Sequence, residues 1–327
     1  MEKYPKKILL SGVQPSGRAH IGNYFVAMRQ NVDFQDEYET LLMIADYHAL
    51  TTVHDPEVLR ENIVDLAIDY LAIGLDIEKA PLFQQSDIPE HTEATWIFNC
   101  ITTMPYLMRA HAFKDAEQKS KEVNIGLFDY PMLMAADILL HDAQVVPVGA
   151  DQKQHIEYAR DTAEKFNHLF GKIFKLPEAF IKNEVSVVPG LDGRKMGKSY
   201  KNTIPLFAED DELEQLAMSI VTDSKGVNDP KDPDSCNVFA LHRLFADKGE
   251  LAELDSRYRA GEIGYKESKE LLFERLKRFI APLREKRREI ESDKKRVLEI
   301  LKDGGERARE RAARKMREVK RAVGVLL

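Results

Sequence analysis

Short apolar runs alternate with stretches of helical periodicity through the first half of the chain, and this alternation restricts the fold more than any other feature. The runs with the length and composition of buried strands are KILLSG (7–12), TLLMIAD (40–46), PLFQQS (81–86) and QVVPVG (144–149). Helical patterns separate them, at 21–37, 55–73, 91–110, from about 130 and again after 151. This order predicts an α/β fold with a doubly wound, mainly parallel, Rossmann-like sheet that binds ligands at the carboxyl ends of its strands.

Strand signals end near Glu209, and helical patterns take over from there. Because 327 residues are many for one hydrophobic core, we expect two domains. The predicted division is an α/β domain over 1–190 and, over 191–327, a loop followed by a helical domain. The last helix carries an apolar stripe and could pack back on the first domain; the stripe consists of Ala312, Met316, Val319 and Val323.

Composition excludes several classes of protein. Hydrophobic residues make up 43% of the chain, which is typical of a folded domain, and its two cysteines, Cys100 and Cys236, are far apart. They support neither a disulfide framework nor a cysteine metal site. No apolar run approaches the roughly 20 residues that cross a bilayer, and the first residues lack the apolar region of a signal peptide. We therefore expect a cytoplasmic protein with no membrane segment and no resident metal.

Charge is distributed unevenly along the chain. The net charge is −7, yet residues 271–327 contain 19 basic and 10 acidic side chains. A basic segment on an acidic body indicates a polyanionic partner that binds at one end of the molecule. The alternative is a solvated helical face without a partner.

A glycine-containing turn, QPSGRAHIGN at 14–23, follows the first strand. Gly17 and Gly22 permit close backbone approach, and the start of a helix offers N–H groups to an anion. The glycine spacing is not that of the GxGxxG dinucleotide fingerprint. His20 and Asn23 are three residues apart, so both can point to one side and donate hydrogen bonds to phosphate oxygens. The alternative is that His20 only caps or packs at the turn.

The stretch DGRKMGKS, at 192–199, ends like a Walker A loop but does not fit that motif. Walker A requires a glycine five positions before Gly197, and Asp192 stands there. What remains is a pair of lysines, Lys195 and Lys198, on a glycine-containing loop. Two ammonium groups at this spacing can stabilise the charge on a departing pyrophosphate.

The two segments together, HIGN at 20–23 and KMGKS at 195–199, resemble the paired HIGH and KMSKS signatures of class I aminoacyl-tRNA synthetases. Within that class the chain is similar to the tryptophanyl-tRNA synthetases over essentially its whole length. The other stretches that carry this resemblance are SGVQPSGRAHIGNY, DYHALTT, YPMLMAADIL and VPVGADQKQHIEYARD. The resemblance implies a Rossmann-like, HUP-type catalytic domain with a C-terminal helical domain that binds the tRNA anticodon.

The resemblance also implies site residues. His20, Asn23, Lys195 and Lys198 would be catalytic. The ATP site would be lined by Gln14, Pro15, Ser16, Gly22, Asn23, Gly149, Ala150, Asp151, Val188, Lys195, Met196, Gly197, Lys198 and Ser199. The tryptophan pocket would contain Asp137 as the acceptor of the indole N–H, together with Tyr130, Met134, His48, Gln152, Leu10 and Val146.

The residues themselves give some support for the pocket. Tyr130, Met134 and Asp137 are four and three apart, so they share one helical face. A carboxylate on an apolar helix is costly to bury unless it is paired, and a ligand N–H is one partner it could have. The alternative is that Asp137 pairs with a protein donor and Met134 belongs to the core.

The sequence departs from the family at Gly197, where the signature normally has serine, and this loss of a side chain is expected to loosen the loop. With Cys236 alone in its region, no iron–sulfur cluster is expected. The implied activity is that of a tryptophan–tRNA ligase, with ATP and its Mg²⁺, L-tryptophan and tRNA(Trp) as reactants, acting as a homodimer. The apolar residues around Trp96 to Tyr106, including Phe98 and Ile101, are candidates for the dimer interface, and the alternative is that they belong to the core.

Three other functions stay open from the sequence. A tyrosyl-tRNA synthetase has the same fold, but it needs polar groups on the first strand, where KILLSG supplies leucines. A small adenylyl transferase would need neither the basic helical segment nor the Asp137 face. A non-catalytic paralogue would bind tRNA or a regulator without chemistry.

Overall fold

A parallel sheet forms the centre of the computed structural model, which describes residues 6–110, 113–114, 124–149, 153–180 and 187–327. The strands are β1 (Ile8–Val13), β2 (Glu39–Ile44), β3 (Leu82–Gln84), β4 (Val145–Pro147) and β5 (Glu178–Phe180). Their order is β3-β2-β1-β4-β5, and every neighbouring pair is parallel. The chain therefore winds outward in both directions from β1, which confirms the doubly wound α/β prediction and places the switch point between β1 and β4.

Helices connect these strands. The 21–37 stretch consists of α1 (Ile21–Asn23), a π-helical turn (Tyr24–Met28) and α2 (Arg29–Glu37). The next helices are α3 (Asp46–Ala49), α4 (Pro56–Ala72), α5 (Glu90–Ile101), α6 (Met104–Leu107), α7 (Ile125–Leu140) and α8 (Lys153–Phe170), with a 3₁₀ turn at Gln85–Asp87. Helix α7 begins before the predicted position near 130 because the Asn124 side chain caps it, accepting a hydrogen bond from Leu127 N at 2.8 Å.

The remainder of the chain is helical, as predicted. A 3₁₀ turn at Lys198–Tyr200 is followed by α9 (Asp210–Ser219), α10 (Asn237–His242), α11 (Lys248–Ala260), α12 (Tyr265–Glu291) and α13 (Lys294–Ala322). Strand β5 was not anticipated, because the three residues Glu178–Phe180 are too few to show a strand pattern.

The described residues fall into two compact units. The first lies within Met1–Gly17, Asn31–Asn183 and Asp293–Leu327, and the second within Arg18–Gln30 and Glu184–Ser292. These ranges differ from the division at residue 190 expected from the sequence, since the segment after β1 belongs to the second unit and α13 belongs to the first. The assignment of catalysis to residues 1–190 and of tRNA binding to residues 191–327 stays a prediction.

Helix α13 packs against the first unit through its apolar stripe. Ala312, Met316 and Val319 are buried in the same core as the sheet. Two glycines lie in the middle of the helix, although each costs about 1 kcal/mol relative to alanine. A Cβ on Gly304 would lie 2.0 Å from the carbonyl oxygen of Leu82, so glycine is needed for the helix to approach the backbone of β3.

The second unit has its own core. Aromatic rings of the π-helical turn pack against those of later helices: Phe25 stacks on Phe279 at 5.6 Å and meets Phe245 edge-on at 5.4 Å. Leu272, Leu276 and Ile280 of α12 are fully buried. In the part of the chain that the structure describes, no helix combines the length and the apolar character needed to cross a membrane.

Candidate active site

A buried carboxylate with several polar neighbours lies in the first unit. Asp137, on α7, is 2% exposed and has Ala135, Ala136 and Ile138 buried around it. Its oxygens accept hydrogen bonds from Gln85 Nε2 at 2.8 and 3.0 Å and face His48 Nε2 at 2.9 Å. Asp137 therefore has protein partners, which was the alternative left open by the sequence.

The parallel sheet explains why these partners meet. His48 follows the carboxyl end of β2, and Gln85 follows the carboxyl end of the adjacent strand β3. The two residues are linked directly, because His48 N donates to Gln85 Oε1 at 3.3 Å. Gln85 was missed by sequence reasoning because it lies inside the stretch predicted as a strand, 81–86, whereas the strand ends at Gln84.

Two further histidines lie next to Asp137 and to each other, and sequence reasoning missed both. His91 Nδ1 is 3.4 Å from Asp137 Oδ1, and His91 Nε2 is 3.0 Å from His141 Nε2. Both imidazoles are fully buried, and burial lowers the pKa of His91 and lowers that of His141 well below its usual value. His141 is four residues after Asp137, so the helical spacing could have identified it.

The other predicted pocket residues of this unit are partly or fully buried. The Tyr130 hydroxyl is 2.6 Å from His155 Nε2, and its ring meets that of His48 edge-on at 6.4 Å. Burial raises the pKa of Tyr130 to about 12. Met134 is partly buried against the core, whereas Leu10 and Val146 are core residues with 2% and 4% exposure. Gln152, Ala150 and Asp151 lie outside the described residues.

In the second unit, His20 and Asn23 hold each other. His20 Nδ1 accepts from Asn23 N at 3.3 Å, while Asn23 Oδ1 accepts from His20 N at 3.2 Å, and this reciprocal pair begins α1. With Nδ1 acting as an acceptor, the ring proton of the neutral imidazole is on Nε2. The capping role that the sequence left as an alternative is therefore present.

The loop that carries Lys195 and Lys198, called the lysine loop below, is held by hydrogen bonds to its backbone, while the two lysine side chains are exposed. Asn202, only 2% exposed, accepts from Gly197 N at 2.9 Å and donates to Asp192 Oδ1 at 2.7 Å. Lys195 and Lys198 have exposed side chains, whereas Met196 between them is buried. The backbone thus has a fixed path while both ammonium groups remain accessible.

The His20 turn and the lysine loop meet within this unit. A Cβ built on Gly22 would lie 3.4 Å from Met196 Cβ, and Ile21 N donates to Ile204 O at 3.0 Å. The pKa of His20 is lowered to about 4 by its burial and, secondarily, by the charge of Lys198. His20 is therefore neutral near pH 7, and two segments about 170 residues apart form one cluster.

The remaining predicted ATP residues are spread over both units. Gln14, Pro15 and Ser16 follow the carboxyl end of β1, and Gly149 follows β4, on the two sides of the switch point. Val188, 2% exposed, accepts from Met196 N at 2.8 Å, and Ser199 is exposed in the 3₁₀ turn. Among the described residues, no three His, Cys, Asp or Glu side chains are grouped so that they could hold a metal ion.

The basic segment at 271–327 is divided between the units, and much of its charge is paired. On α12, Arg284 bonds Asp210 at 2.8 Å; on α13, Lys315 pairs with Asp142 at 3.1 Å and Arg309 with Glu90 at 3.2 Å. Three exposed arginines of α13 are different, because among the described residues they pair with neither an acidic side chain nor a backbone carbonyl; they are Arg314, Arg317 and Arg321.

Comparison with known proteins identifies relatives along nearly the whole chain. Residues 3–281 match the family model for class I tRNA synthetases of the W and Y type. A tryptophan–tRNA ligase of Rhodopirellula baltica is 51% identical over 317 residues, which cover 97% of this chain and 99% of that protein. One from Fusobacterium nucleatum is 47% identical, with 97% and 98% covered.

Solved structures agree with this. The crystal structure of tryptophanyl-tRNA synthetase from Campylobacter jejuni, complexed with ADP and tryptophan, matches with a TM-score of 0.92 at 44% identity, covering 97% of this chain and 99% of that one. A tyrosyl-tRNA synthetase from Archaeoglobus fulgidus, complexed with L-tyrosine, matches with a TM-score of 0.67 at 18% identity, with 88% and 92% covered. This second similarity establishes the common fold.

Proposed function

The chain belongs to the W and Y family of class I tRNA synthetases, and its activity is that of a tryptophan–tRNA ligase; from this premise we propose which residues perform each part of the reaction. Such an enzyme first joins tryptophan to ATP as tryptophanyl-adenylate, with release of pyrophosphate, and then transfers the amino acid to tRNA. The observation that carries our assignment is the contact between Gly22 and Met196, which joins the His20 turn to the lysine loop.

At the ATP site, Lys195 and Lys198 stabilise negative charge that develops during the reaction. A carboxylate oxygen of tryptophan attacks the α-phosphorus of ATP, and the bond to the pyrophosphate oxygen breaks as the new P–O bond forms. Negative charge therefore grows on the departing pyrophosphate, where Lys195 and Lys198 stabilise it. ATP arrives with its own Mg²⁺, and no protein nucleophile takes part, so positioning and electrostatics account for catalysis.

His20 contributes a hydrogen bond and not a charge. Its imidazole is neutral near pH 7, since the pKa is about 4, and its ring proton is on Nε2. From there it donates to a phosphate oxygen, while Asn23 fixes the ring through Nδ1. The other residues that we assign to ATP are Gln14, Pro15, Ser16, Gly22, Gly149, Ala150, Asp151, Val188, Met196, Gly197 and Ser199.

At the tryptophan site Asp137 accepts the indole N–H. A carboxylate has about four lone-pair positions, and the donors Gln85 and His48 leave capacity for further donors, of which we propose the indole N–H as one. Tyr130 and Met134, seven and three residues before Asp137 on the same helix, contact the ring. We assign His48, Gln152, Leu10 and Val146 to the rest of this pocket.

Amino-acid-dependent ATP–pyrophosphate exchange tests the proposal. Tryptophan is expected to support exchange, and tyrosine to be poorer by a factor of about 10⁴ or more, because a tyrosine side chain offers no N–H to Asp137. Comparable exchange with tyrosine would contradict the specificity. Exchange that needs no amino acid would instead indicate an adenylyl transferase, and no exchange at all a non-catalytic relative.

For tRNA we propose the exposed arginines of α13 as phosphate contacts. Arg314, Arg317 and Arg321 share one helical face at spacings of three and four. Replacing all three by alanine is expected to weaken tRNA binding and to reduce the slope of log affinity against log salt by about 3. An unchanged slope would show that tRNA binds elsewhere, such as on the second unit.

We further propose that the protein works as a homodimer in the cytoplasm, where charged tRNA supplies protein synthesis. Trp96 and Met104 of the α5–α6 region are 71% and 67% exposed, so they offer an apolar surface to a second copy. Phe98, which the sequence left open between this interface and the core, is fully buried in the core. Sedimentation of Trp96→Glu is expected to give a lighter species than the wild-type protein.

A further inference from the structure

A second layer of polar side chains lies behind the carboxylate that we assign to indole recognition. His91, on α5, and His141, just after α7, are both 0% exposed. Neither takes part in the chemistry proposed above. In both rings Nδ1 lacks a hydrogen bond of ordinary geometry among the described residues, although the backbone of Gln85 also interacts with the His91 ring.

The nitrogen–nitrogen contact fixes how the protons are arranged. His91 Nε2 and His141 Nε2 are 3.0 Å apart, and two lone pairs at that distance would repel each other in buried surroundings. One ring therefore donates and the other accepts. Burial lowers the pKa of both histidines, so both are neutral and each ring has one proton.

The carboxylate of Asp137 determines which of the two histidines donates the hydrogen bond. His91 Nδ1 is 3.4 Å from Asp137 Oδ1. If the proton of His91 were on Nε2, a nitrogen lone pair would face a carboxylate oxygen; if it is on Nδ1, an N–H dipole faces that oxygen. The second arrangement is favourable and makes His141 the donor to His91.

From this geometry we propose that His91 is a positioning residue for substrate specificity, with its tautomer set by His141. The Nδ1–H of His91 orients Oδ1 of Asp137, while Gln85 and His48 hold the carboxylate from their own sides. Asp137 thereby has one direction left in which to accept a hydrogen bond. The proposal rests on the assignment of Asp137 to the indole N–H.

The test compares tryptophan with its benzothiophene isostere, in which sulfur replaces the indole N–H. The ratio of the two kcat/KM values in ATP–pyrophosphate exchange measures recognition of the N–H alone. His91→Gln keeps a polar group toward His141 and loses the donor toward Asp137, whereas His91→Asn keeps a donor near the Nδ1 position. We expect His91→Gln to reduce the ratio about five- to tenfold and His91→Asn to keep it within about twofold.

Two further variants make each outcome decisive. His141→Phe removes the donor that sets the tautomer, and we expect it to reduce the ratio by about threefold even where a His91 variant does not fold. If tryptophan and the isostere lose activity equally in these variants, the histidines are merely structural and the proposal is overturned. Asp137→Asn tests the premise: if that variant keeps the wild-type ratio, the assignment of Asp137 itself is wrong.

Discussion

The carboxylate of Asp137 and the ammonium groups of Lys195 and Lys198 are held in opposite ways. Asp137 is 2% exposed and surrounded by side-chain donors, two of them at about 2.8 to 2.9 Å. Both lysines are exposed, and the loop around them is fixed through backbone contacts with Asn202. The carboxylate is therefore buried and preorganised, whereas the two lysine side chains are exposed on a loop whose backbone is fixed.

This difference matches the demands of the two tasks. The proposed role of Asp137 in selecting tryptophan requires one acceptor at one position, and a buried network suits it because an unmade hydrogen bond is costly there. The proposed role of Lys195 and Lys198 requires charges that can meet the leaving pyrophosphate and later release it, which suits exposed side chains on a loop. Mutations should therefore affect amino-acid recognition in one region and the chemical step in the other.

The largest effect is expected for Lys195→Ala. Removing one of two charges on the pyrophosphate should lower kcat for exchange by about 10² to 10³, as for other groups that stabilise transition-state charge, with the KM for tryptophan unchanged. Steady-state exchange kinetics measure this. Lys201→Ala, at an exposed lysine three residues after Lys198, is the matched control and should retain kcat. A parallel rise in the KM for tryptophan would contradict the assigned role.

Asp137→Asn should act on recognition. An amide in this place brings its NH₂ group against the donors Gln85 and His48, so we expect kcat/KM for tryptophan to fall about 10- to 100-fold while the KM for ATP is kept. Asp129→Asn, on the same helix and hydrogen-bonded to Asn99, is the control and should change neither constant. A rise in the KM for ATP as large as the fall in kcat/KM for tryptophan would contradict the separation of the two regions.

The pH dependence of stability tests His20, the buried histidine that lies in the same cluster as Lys195 and Lys198. Its folded pKa of about 4 lies below the ordinary 6.5, so the unfolded chain binds more protons between these values. The neutral ring thus contributes stability above pH 6.5 that is lost as the pH falls toward 4, by about 2 kcal/mol at pH 5. Urea unfolding at pH 7.5 and 5.0 should show a smaller loss for His20→Gln than for the wild type. Equal losses would mean that His20 titrates normally.

The smallest effect is expected for Gly197→Ser, which restores the family residue. Gly197 has an extended backbone with φ of −169°, and a Cβ would make ordinary contact with Tyr200 at 3.4 Å. Serine should therefore fit with less than about 0.5 kcal/mol change in unfolding free energy. A melting curve checks this, and exchange kinetics should show kcat changed by less than about threefold. A large drop in either would show that this loop depends on glycine.

What could be foreseen from the sequence depended on how local the signal was. Strand runs and helical periods predicted the sheet, and the HIGN and KMGKS segments predicted one cluster, which the approach of Gly22 to Met196 brings together. Asp137 stood out because a carboxylate in an apolar helix is unusual. In each case the information was contained within a few consecutive residues.

The remainder needed three-dimensional contacts. Gln85 and His91 reach Asp137 from elements about 50 residues away, and isolated polar residues of this kind show no pattern. Helix α13 joins the first unit because Gly304 lets it approach Leu82, a contact between residues more than 200 positions apart. The basic charge of 271–327 suggested a single surface, but local ion pairs such as Lys315 with Asp142 use much of it.

A double-mutant cycle on Asp137→Asn and Lys195→Ala tests the central claim, that selection and charge stabilisation are separate tasks of separate regions. The measurement is kcat/KM for tryptophan in ATP–pyrophosphate exchange for the wild type, both single variants and the double variant. Separate tasks predict that the two losses multiply, so the coupling energy lies within about 0.5 kcal/mol of zero. A double variant no worse than the poorer single variant would show that the two regions act as one unit and would contradict the account.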